Sequence, residues 1–471
     1  MADTTLEPIE VNRLCVGMFV QVDADLPGHP FRLGGFLIKN ETQLEQLRAL
    51  GIARVRYSPK RSEVQPPPEE AAGVSWAALG VPGHDDAAQR AARPPVGAGP
   101  ERDSIGIEPD ADADAAPAPT AAAPTEAASA ADRQRMAAVQ RRALLTRQQA
   151  SLDRCEHHFN EASRQLRNVM QNARAHPAQA KQVAVTQIDA MLGQFDGMEE
   201  VAIRLLSEKA GQETTLHAMN VSVLSLLLGR ALRFDSAQLA HLGLGALLHD
   251  IGKLELPDRL RWRDDHAPAV ERRLFQSHAA HGVTLGKKMG LPQDAIDVIA
   301  QHHEHADGSG YPSGLKGEQI KPLARVVGLV NQYDNLCNPG HPAQALTPHD
   351  ALALIFARQR DAFDSVVLAA FIRMMGVYPP GSVLQLNDAR YAMVVSVNSD
   401  RPLKPSVVIH EPEVPSDEAL VIDLEHHPDI GIQRAIKPVQ LPRAVFDYLS
   451  PRKRMCYFFE RSVSAPRAAS V

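Results

Sequence analysis

The sequence predicts a mainly α protein, a helical core with a small α+β domain ahead of it and a small β appendix behind it. Three observations carry this expectation. Apolar residues recur at helical spacing from about Ala131 to Arg373, and short β-like runs bounded by turn residues occupy residues 8–60 and return after Gly376. Residues 63–130 collapse to Ala, Pro, Asp and Gly, with little to bury. At 471 residues the chain exceeds what one hydrophobic core commonly supports, so several domains are expected.

Residues 1–62 read as the small α+β domain, with the β-like run Met18-Phe19-Val20-Gln21-Val22 and a helical stretch Gln43 to Leu50 closed by Gly51. Residues 63–130, with Pro66-Pro67-Pro68 and an Ala/Pro/Thr tract at 115–129, read as a disordered linker. Residues 131–200 read as connecting amphipathic helices that pack on the main domain, dimerisation being the alternative use, so a homodimer is one expected assembly. Residues 201–375 read as the helical catalytic domain, with Val221 to Leu232 as core. Residues 376–445, containing Ser382 to Leu386 and Tyr391 to Val397, read as the β appendix, and residues 446–471 as a C-terminal tail.

A net charge of −6 and a pI near 6.3 carry no basic excess for a nucleic acid polymer, so any anionic ligand must be met by local groups. Cys15, Cys155, Cys337 and Cys456 lie far apart without CxxC pairing, which predicts reduced thiols and a cytoplasmic location. Met1 to Glu10 lacks the pattern of a secretion signal. The run Val221 to Leu232 is short and broken by Ser222, Ser225, Gly229 and Arg230, so no membrane insertion is expected.

Of 19 histidines, nine fall between His217 and His305. Glu213 and His217 are four apart, so on a helix both project from one face. His249-Asp250 closes the apolar run Leu242 to Leu248, and Lys253, His278, His302-His303, Asp307, Asn331 and Asp334 follow. Burying an imidazole and a carboxylate at the end of such a run costs several kcal/mol unless they are paired or bound to metal. A single histidine here is ordinarily a satisfied core or surface residue, but the joint occurrence favours cations. Imidazole nitrogens with carboxylate oxygens and no thiolate suit Fe, Mn, Co or Zn rather than a structural zinc site. Two metals a few ångströms apart suit phosphodiester hydrolysis. His241, His266, His281 and His305 read as bystanders, and Asp307 as a turn cap.

The segments His249-Asp250-Ile251-Gly252-Lys253, His302-His303-Glu304 and Asp307-Gly308-Ser309-Gly310-Tyr311-Pro312 together resemble the HD-GYP family. The resemblance covers about residues 200–400 and implies an all-α HD-type phosphohydrolase that opens and hydrolyses cyclic di-GMP. It implies metal ligands at Glu213, His217, His249, Asp250, His278, His302 and His303, a catalytic Asp250, and Lys253 as a contact to substrate phosphate. It also implies two or three divalent ions, Fe or Mn foremost with Zn, Co or Ni as alternatives, and a loop, Gly308, Gly310, Tyr311 and Pro312, that borders the site and meets substrate or partners such as diguanylate cyclase domains. Leu14 to Val20 with His29-Pro30-Phe31 resembles an uncharacterised domain that often precedes such modules.

Two departures bear on activity. Where the family places a metal-binding aspartate this chain has Asn331, a weaker, uncharged ligand, and Asp334 one helical turn later is a residue that could rotate in to substitute for it. Where the family commonly carries an Arg-Pro-Tyr segment, this chain reads Asn338-Pro339-Gly340-His341-Pro342. They leave a degenerate, non-catalytic sensor or interaction module as the rival expectation.

Overall fold

A computed structural model describes residues 7–10, 14, 18–21, 35–38, 54–58, 61–62, 126–195, 200–207, 213–261, 267–398 and 401–461. The chain divides into two compact units, Met1–Gly83 and His84–Val471.

In the first unit, strands β1 (Glu7–Glu10), β2 (Phe19–Gln21), β3 (Phe36–Leu37) and β4 (Arg54–Tyr57) form an antiparallel sheet in the order β1-β4-β2-β3. Ile9, Met18, Val20, Ile38, Val55 and Tyr57 are its buried apolar residues. The expected helix Gln43 to Leu50 and nearly all of the expected linker lie outside the described residues.

The second unit opens with α1 (Glu126–Asn172), which begins ahead of the expected Ala131, and α2 (Pro177–Phe195). Phe159, Leu166 and Val169 of α1 and Ala180, Ala184, Ile188 and Met191 of α2 are buried at helical spacing, giving each helix one apolar face. The site is carried by α3 (Glu213–Ala231), α4 (Ser236–Leu248), α5 (Ala269–Gln276), α6 (His278–Met289), α7 (Gln293–Gln301) and α8 (Pro322–Cys337), followed by α9 (Pro348–Arg358) and α10 (Ser365–Met375). Helix α3 is central: Leu216, Met219, Val221, Val223, Leu224, Leu226, Leu227 and Leu228 are all buried, as expected of the Val221 to Leu232 run. Asp235 caps α4 through a reciprocal bond with Gln238, satisfying backbone donors that would otherwise be orphaned.

The β part corrects two expected boundaries. A seven-stranded sheet contains β5 (Val201–Leu205), β6 (Val383–Leu386), β7 (Tyr391–Asn398), β8 (Ser406–Ile409), β9 (Val421–Asp423), β10 (Ile432–Ile436) and β11 (Tyr457–Arg461). The expected helical domain at 201–375 therefore begins with a strand. The expected tail at 446–471 carries the end of α11 (Arg443–Leu449) and β11, which pairs antiparallel with β5. The run Met455 to Phe459 is too apolar to stay in water, and all five residues are buried.

Candidate metal centre

The centre is assembled from helix ends. His249 takes the C-cap of α4, Asp250 leads into a 3-10 turn at Ile251–Glu255, His278 opens α6 and His302 takes the C-cap of α7. Gly252 makes this meeting possible, because a Cβ there would lie 1.9 Å from the His278 carbonyl oxygen and 2.3 Å from the Gly282 nitrogen. The backbone after Asp250 thus lies directly against the start of α6.

Nδ1 of His249, His278 and His302 each bonds the carbonyl three residues earlier: Ala246 at 2.7 Å, Phe275 at 2.7 Å and Ile299 at 2.9 Å. A carbonyl only accepts, so the proton of each neutral ring sits on Nδ1 and Nε2 carries a bare lone pair. Nδ1 of His217 faces Asp334 Oδ2 at 2.7 Å, so the neutral form of this ring also carries its proton on Nδ1 and turns Nε2 inward. These nitrogens then meet in pairs, His217 Nε2 to His249 Nε2 at 3.2 Å and His278 Nε2 to His302 Nε2 at 3.3 Å. With no proton between them, such pairs repel unless a cation lies in their midst.

Asp250 stands between the two pairs. Its Oδ2 lies 3.3 Å from His249 Nε2 and 3.7 Å from His217 Nε2, and its Oδ1 lies 3.4 Å from His278 Nε2 and 3.9 Å from His302 Nε2. The carboxylate divides the residues into two sets with ligand atoms within 4.8 Å of one another: His217, His249 and Asp250, and Asp250, His278, His302 and His303. Asp250 Oδ1 and His303 Nε2 are buried without a hydrogen-bond partner. Two orphaned acceptors in one polar pocket fit divalent cations, as the HD domain implies for this region.

Protonation agrees with that fit. Burial lowers His278 to about 4 and holds His302 and His303 well below the ordinary imidazole value, so all three are neutral near pH 7. Burial alone would raise Asp250, but neighbouring positive charge, Lys253 foremost, outweighs it and keeps the carboxyl well below its ordinary value. Lys253 Nζ donates to Asp250 Oδ2 at 2.6 Å and lies 5.2 Å from the centre of the Phe275 ring.

Glu213 begins α3, but its side chain lies outside the described residues. The hydrogen bonds of Asp334 speak against its substituting for Asn331. Asp334 is fully buried and accepts from His217 on one oxygen and from Nδ2 of Asn220 and of Asn338, both at 2.8 Å, on the other. Both of its oxygens are engaged, Oδ2 by His217 and Oδ1 by the two amides, so it is a positioning group behind the ligand. Asn331 is buried and its oxygen accepts from Asn335 Nδ2 at 2.9 Å. Of the expected bystanders, His241 pairs with Asp294 at 2.9 Å and His305 bonds Ser309 at 3.0 Å, while His266 lies outside the described residues.

The glycine-rich loop is clamped beside the centre. Asp307 accepts from the Ser309 nitrogen at 2.8 Å, and the buried Glu304 carboxylate accepts from the nitrogens of Ser313 at 2.7 Å and Leu315 at 2.9 Å. Gly310 is required by space, since a Cβ there would come within 2.4 Å of the His303 carbonyl oxygen. Tyr311 donates its backbone N–H to that oxygen at 3.0 Å and stacks its ring on His303 with centroids 4.4 Å apart. Next to this pair lies a cavity of about 630 Å³.

Residues 200–367 match the HD domain family, and residues 6–184 match a domain of unknown function, DUF3391. The HD match covers the residues that build the centre. It is 26% identical, over 86% of its own length and 85% of the relative's, to the cyclic di-GMP phosphodiesterase PA4108 of Pseudomonas aeruginosa. It is 28% identical over 41% of its length to the cyclic di-GMP phosphodiesterase response regulator RpfG of Xanthomonas campestris, covering 53% of that protein. It is also 30% identical over 35% of its length to the 3'3'-cGAMP-specific phosphodiesterase 3 of Vibrio cholerae, covering 36% of it. Among solved structures, Bd1817 of Bdellovibrio bacteriovorus aligns with 78% of this chain and 97% of its own at a TM-score of 0.36 and 15% identity.

Within the HD domain, sequence reasoning missed Asn220, Asp334 as an orienting group, and Asn338. Asn220 and Asn338 both donate to the Met455 carbonyl, at 2.7 and 2.9 Å, tying the entrance of β11 to the residue that holds His217. The available signal was Asp334 and Asn338, four apart at the end of a helix whose preceding run, Val326 to Val330, is apolar.

Proposed function

We propose that this chain is a metal-dependent phosphodiesterase that hydrolyses cyclic di-GMP to pGpG, to GMP, or to both in bacterial second-messenger signalling. The observation that carries it is the meeting of proton-free imidazole nitrogens around the ionised Asp250, with acceptors left for cations. Support comes from the likeness to PA4108 across most of both chains.

His217, His249 and Asp250 would hold one ion and Asp250, His278, His302 and His303 another, with Asp250 common to both sets, and Glu213 is the residue we assign to a third. Their mixed nitrogen and oxygen donors favour Fe or Mn, with Zn, Co or Ni as alternatives. When bound, divalent ions supply Lewis acidity and a nucleophile from water at neutral pH. Asp250 is shared by the two sets and is kept ionised by Lys253, whose remaining N–H groups would meet a phosphate oxygen. Asp334 keeps the His217 lone pair aimed inward. Gly308, Gly310, Tyr311 and Pro312 wall the site next to His303, where the loop meets substrate or a partner such as a diguanylate cyclase domain. A cytoplasmic location and a homodimer belong to the same reading.

The test is turnover of cyclic di-GMP by protein purified without air and supplied with Fe or Mn, compared with Asp250→Ala. Loss of turnover in the variant supports the reading, and metal-loaded wild type that leaves the substrate intact refutes it. A non-catalytic HD module is favoured by one observation, the uncharged Asn331 engaged with Asn335. Inert wild type together with an active Asn331→Asp variant would establish that second reading.

A further inference from the structure

We infer that helix α1 controls the ion held by His217 through its grip on strand β11, which makes the end of the DUF3391-matching region a regulatory element of the metal centre; the inference rests on the metal centre of the reading above. Helix α1 lies within the residues that match DUF3391, and β11 lies beyond both matched regions.

Ser151, Cys155 and Phe159 stand four apart on α1, so they share one face, and they meet β11 in reverse order. Ser151 Oγ donates to Glu460 Oε2 at 3.1 Å, and Cys155 Sγ donates to the Phe459 carbonyl at 3.8 Å. Phe159 and Phe458, both buried, meet edge to face with ring centroids 6.3 Å apart. The helix thereby fixes where β11 lies.

The entrance of β11 is tied as closely to the centre. Asn220 accepts from the Tyr457 nitrogen at 2.9 Å, and Asn338 accepts from the Met455 nitrogen at 2.8 Å. Each donates one N–H to the Met455 carbonyl and the other to Asp334 Oδ1, so both amides are clamped between the strand and the group that orients His217. A shift of β11 must therefore move Asp334 or break its bonds, and His217 follows. The second ligand set is insulated from that shift, because His278 and His302 are oriented by carbonyls three residues earlier in their own segments.

The experiment measures Mn(II) affinity by chelator competition and metal analysis on full-length protein: wild type, Phe159→Leu, Ser151→Ala, Asp334→Asn and the Phe159→Leu/Asp334→Asn double variant. Ile409→Val serves as a control, since it lies in a buried cluster of the sheet that contains no β11 residue. Phe159→Leu is expected to weaken one of the two ions by roughly fivefold and to leave the other unchanged. Ser151→Ala should weaken the same ion by roughly twofold, and it takes the place of Phe159→Leu in the comparison if that variant fails to fold. Phe159→Leu should add little once Asp334 is already asparagine, because both changes act on one route. The inference is overturned, with the phosphodiesterase reading left standing, if both α1 variants bind like wild type, if both ions weaken equally, if the double variant is additive, or if Ile409→Val gives the same selective loss. Wild type that takes up no Mn(II) and leaves cyclic di-GMP intact refutes that reading and the inference together.

Discussion

Replacing Asp334 with Asn removes one charge and one acceptor from a site where both oxygens are used. Oδ2 takes the His217 proton at 2.7 Å, and Oδ1 takes one proton each from Asn220 and Asn338 at 2.8 Å. An asparagine has one oxygen and two N–H donors. If its oxygen faces the two amides, its amino group faces His217 Nδ1, and the ring must move its proton to Nε2. That proton would point at His249 Nε2, 3.2 Å away, and remove a metal-facing lone pair. If its oxygen faces His217 instead, its amino group meets two other amino groups, leaving buried donors unsatisfied at about 1–3 kcal/mol each. The tautomer switch costs less and should prevail. Disturbing an outer-shell partner of this kind lowers metal affinity by about 10–100-fold, or about 1.4–2.7 kcal/mol. Chelator competition followed by metal analysis, on protein whose near-UV circular dichroism matches wild type, measures this directly. Wild-type affinity in Asp334→Asn would refute the argument that Asp334 fixes the His217 tautomer.

Gly252→Ala should expel the start of α6 from the HD turn, because the new Cβ would overlap the His278 carbonyl; a loss of about 1–3 kcal/mol or more and of bound metal is expected from denaturant melts and metal analysis, and an unchanged midpoint would contradict it. Metal-stripped protein should lose stability as pH falls from about 6.5 to about 4. In that window the unfolded chain binds a proton at His278 that the folded chain refuses, so the sign is positive with pH and reaches about 3 kcal/mol for this residue alone. Thermal melts at several pH values would show it, and a flat profile would count against a buried neutral ring. Truncation after Arg454 should abolish cooperative unfolding and metal binding together, because it removes β11 and the Met455 groups that hold Asn220 and Asn338. Retention of both by the truncated chain would show that the strand is dispensable.

Much of the fold was legible because periodicity records burial. The run Val221 to Leu232 announced a core helix, and it is one from Val221 to Gly229 before turning toward the surface; the alternating runs after Gly376 announced strands that are present. What periodicity does not record is pairing between distant segments. Residues 201–205 read as the start of a helical domain and 457–461 as tail, yet each is the other's partner in the sheet, about 250 residues apart in sequence. In the same way, the order His217, His249-Asp250, His278 and His302-His303 could be read along the chain, because such residues at the ends of apolar runs need a compensating partner.

The sequence by itself determined which residue types are available for cations and that most of them begin or end apolar helices. Only the tertiary structure decided which nitrogen of each ring faces inward, that Asp250 stands between two sets of imidazoles, and that Asp334 serves His217 instead of replacing Asn331. The physical reason is that a residue's chemistry is local, whereas a tautomer, a bridging position and an accepted proton are properties of the neighbours that folding brings to it.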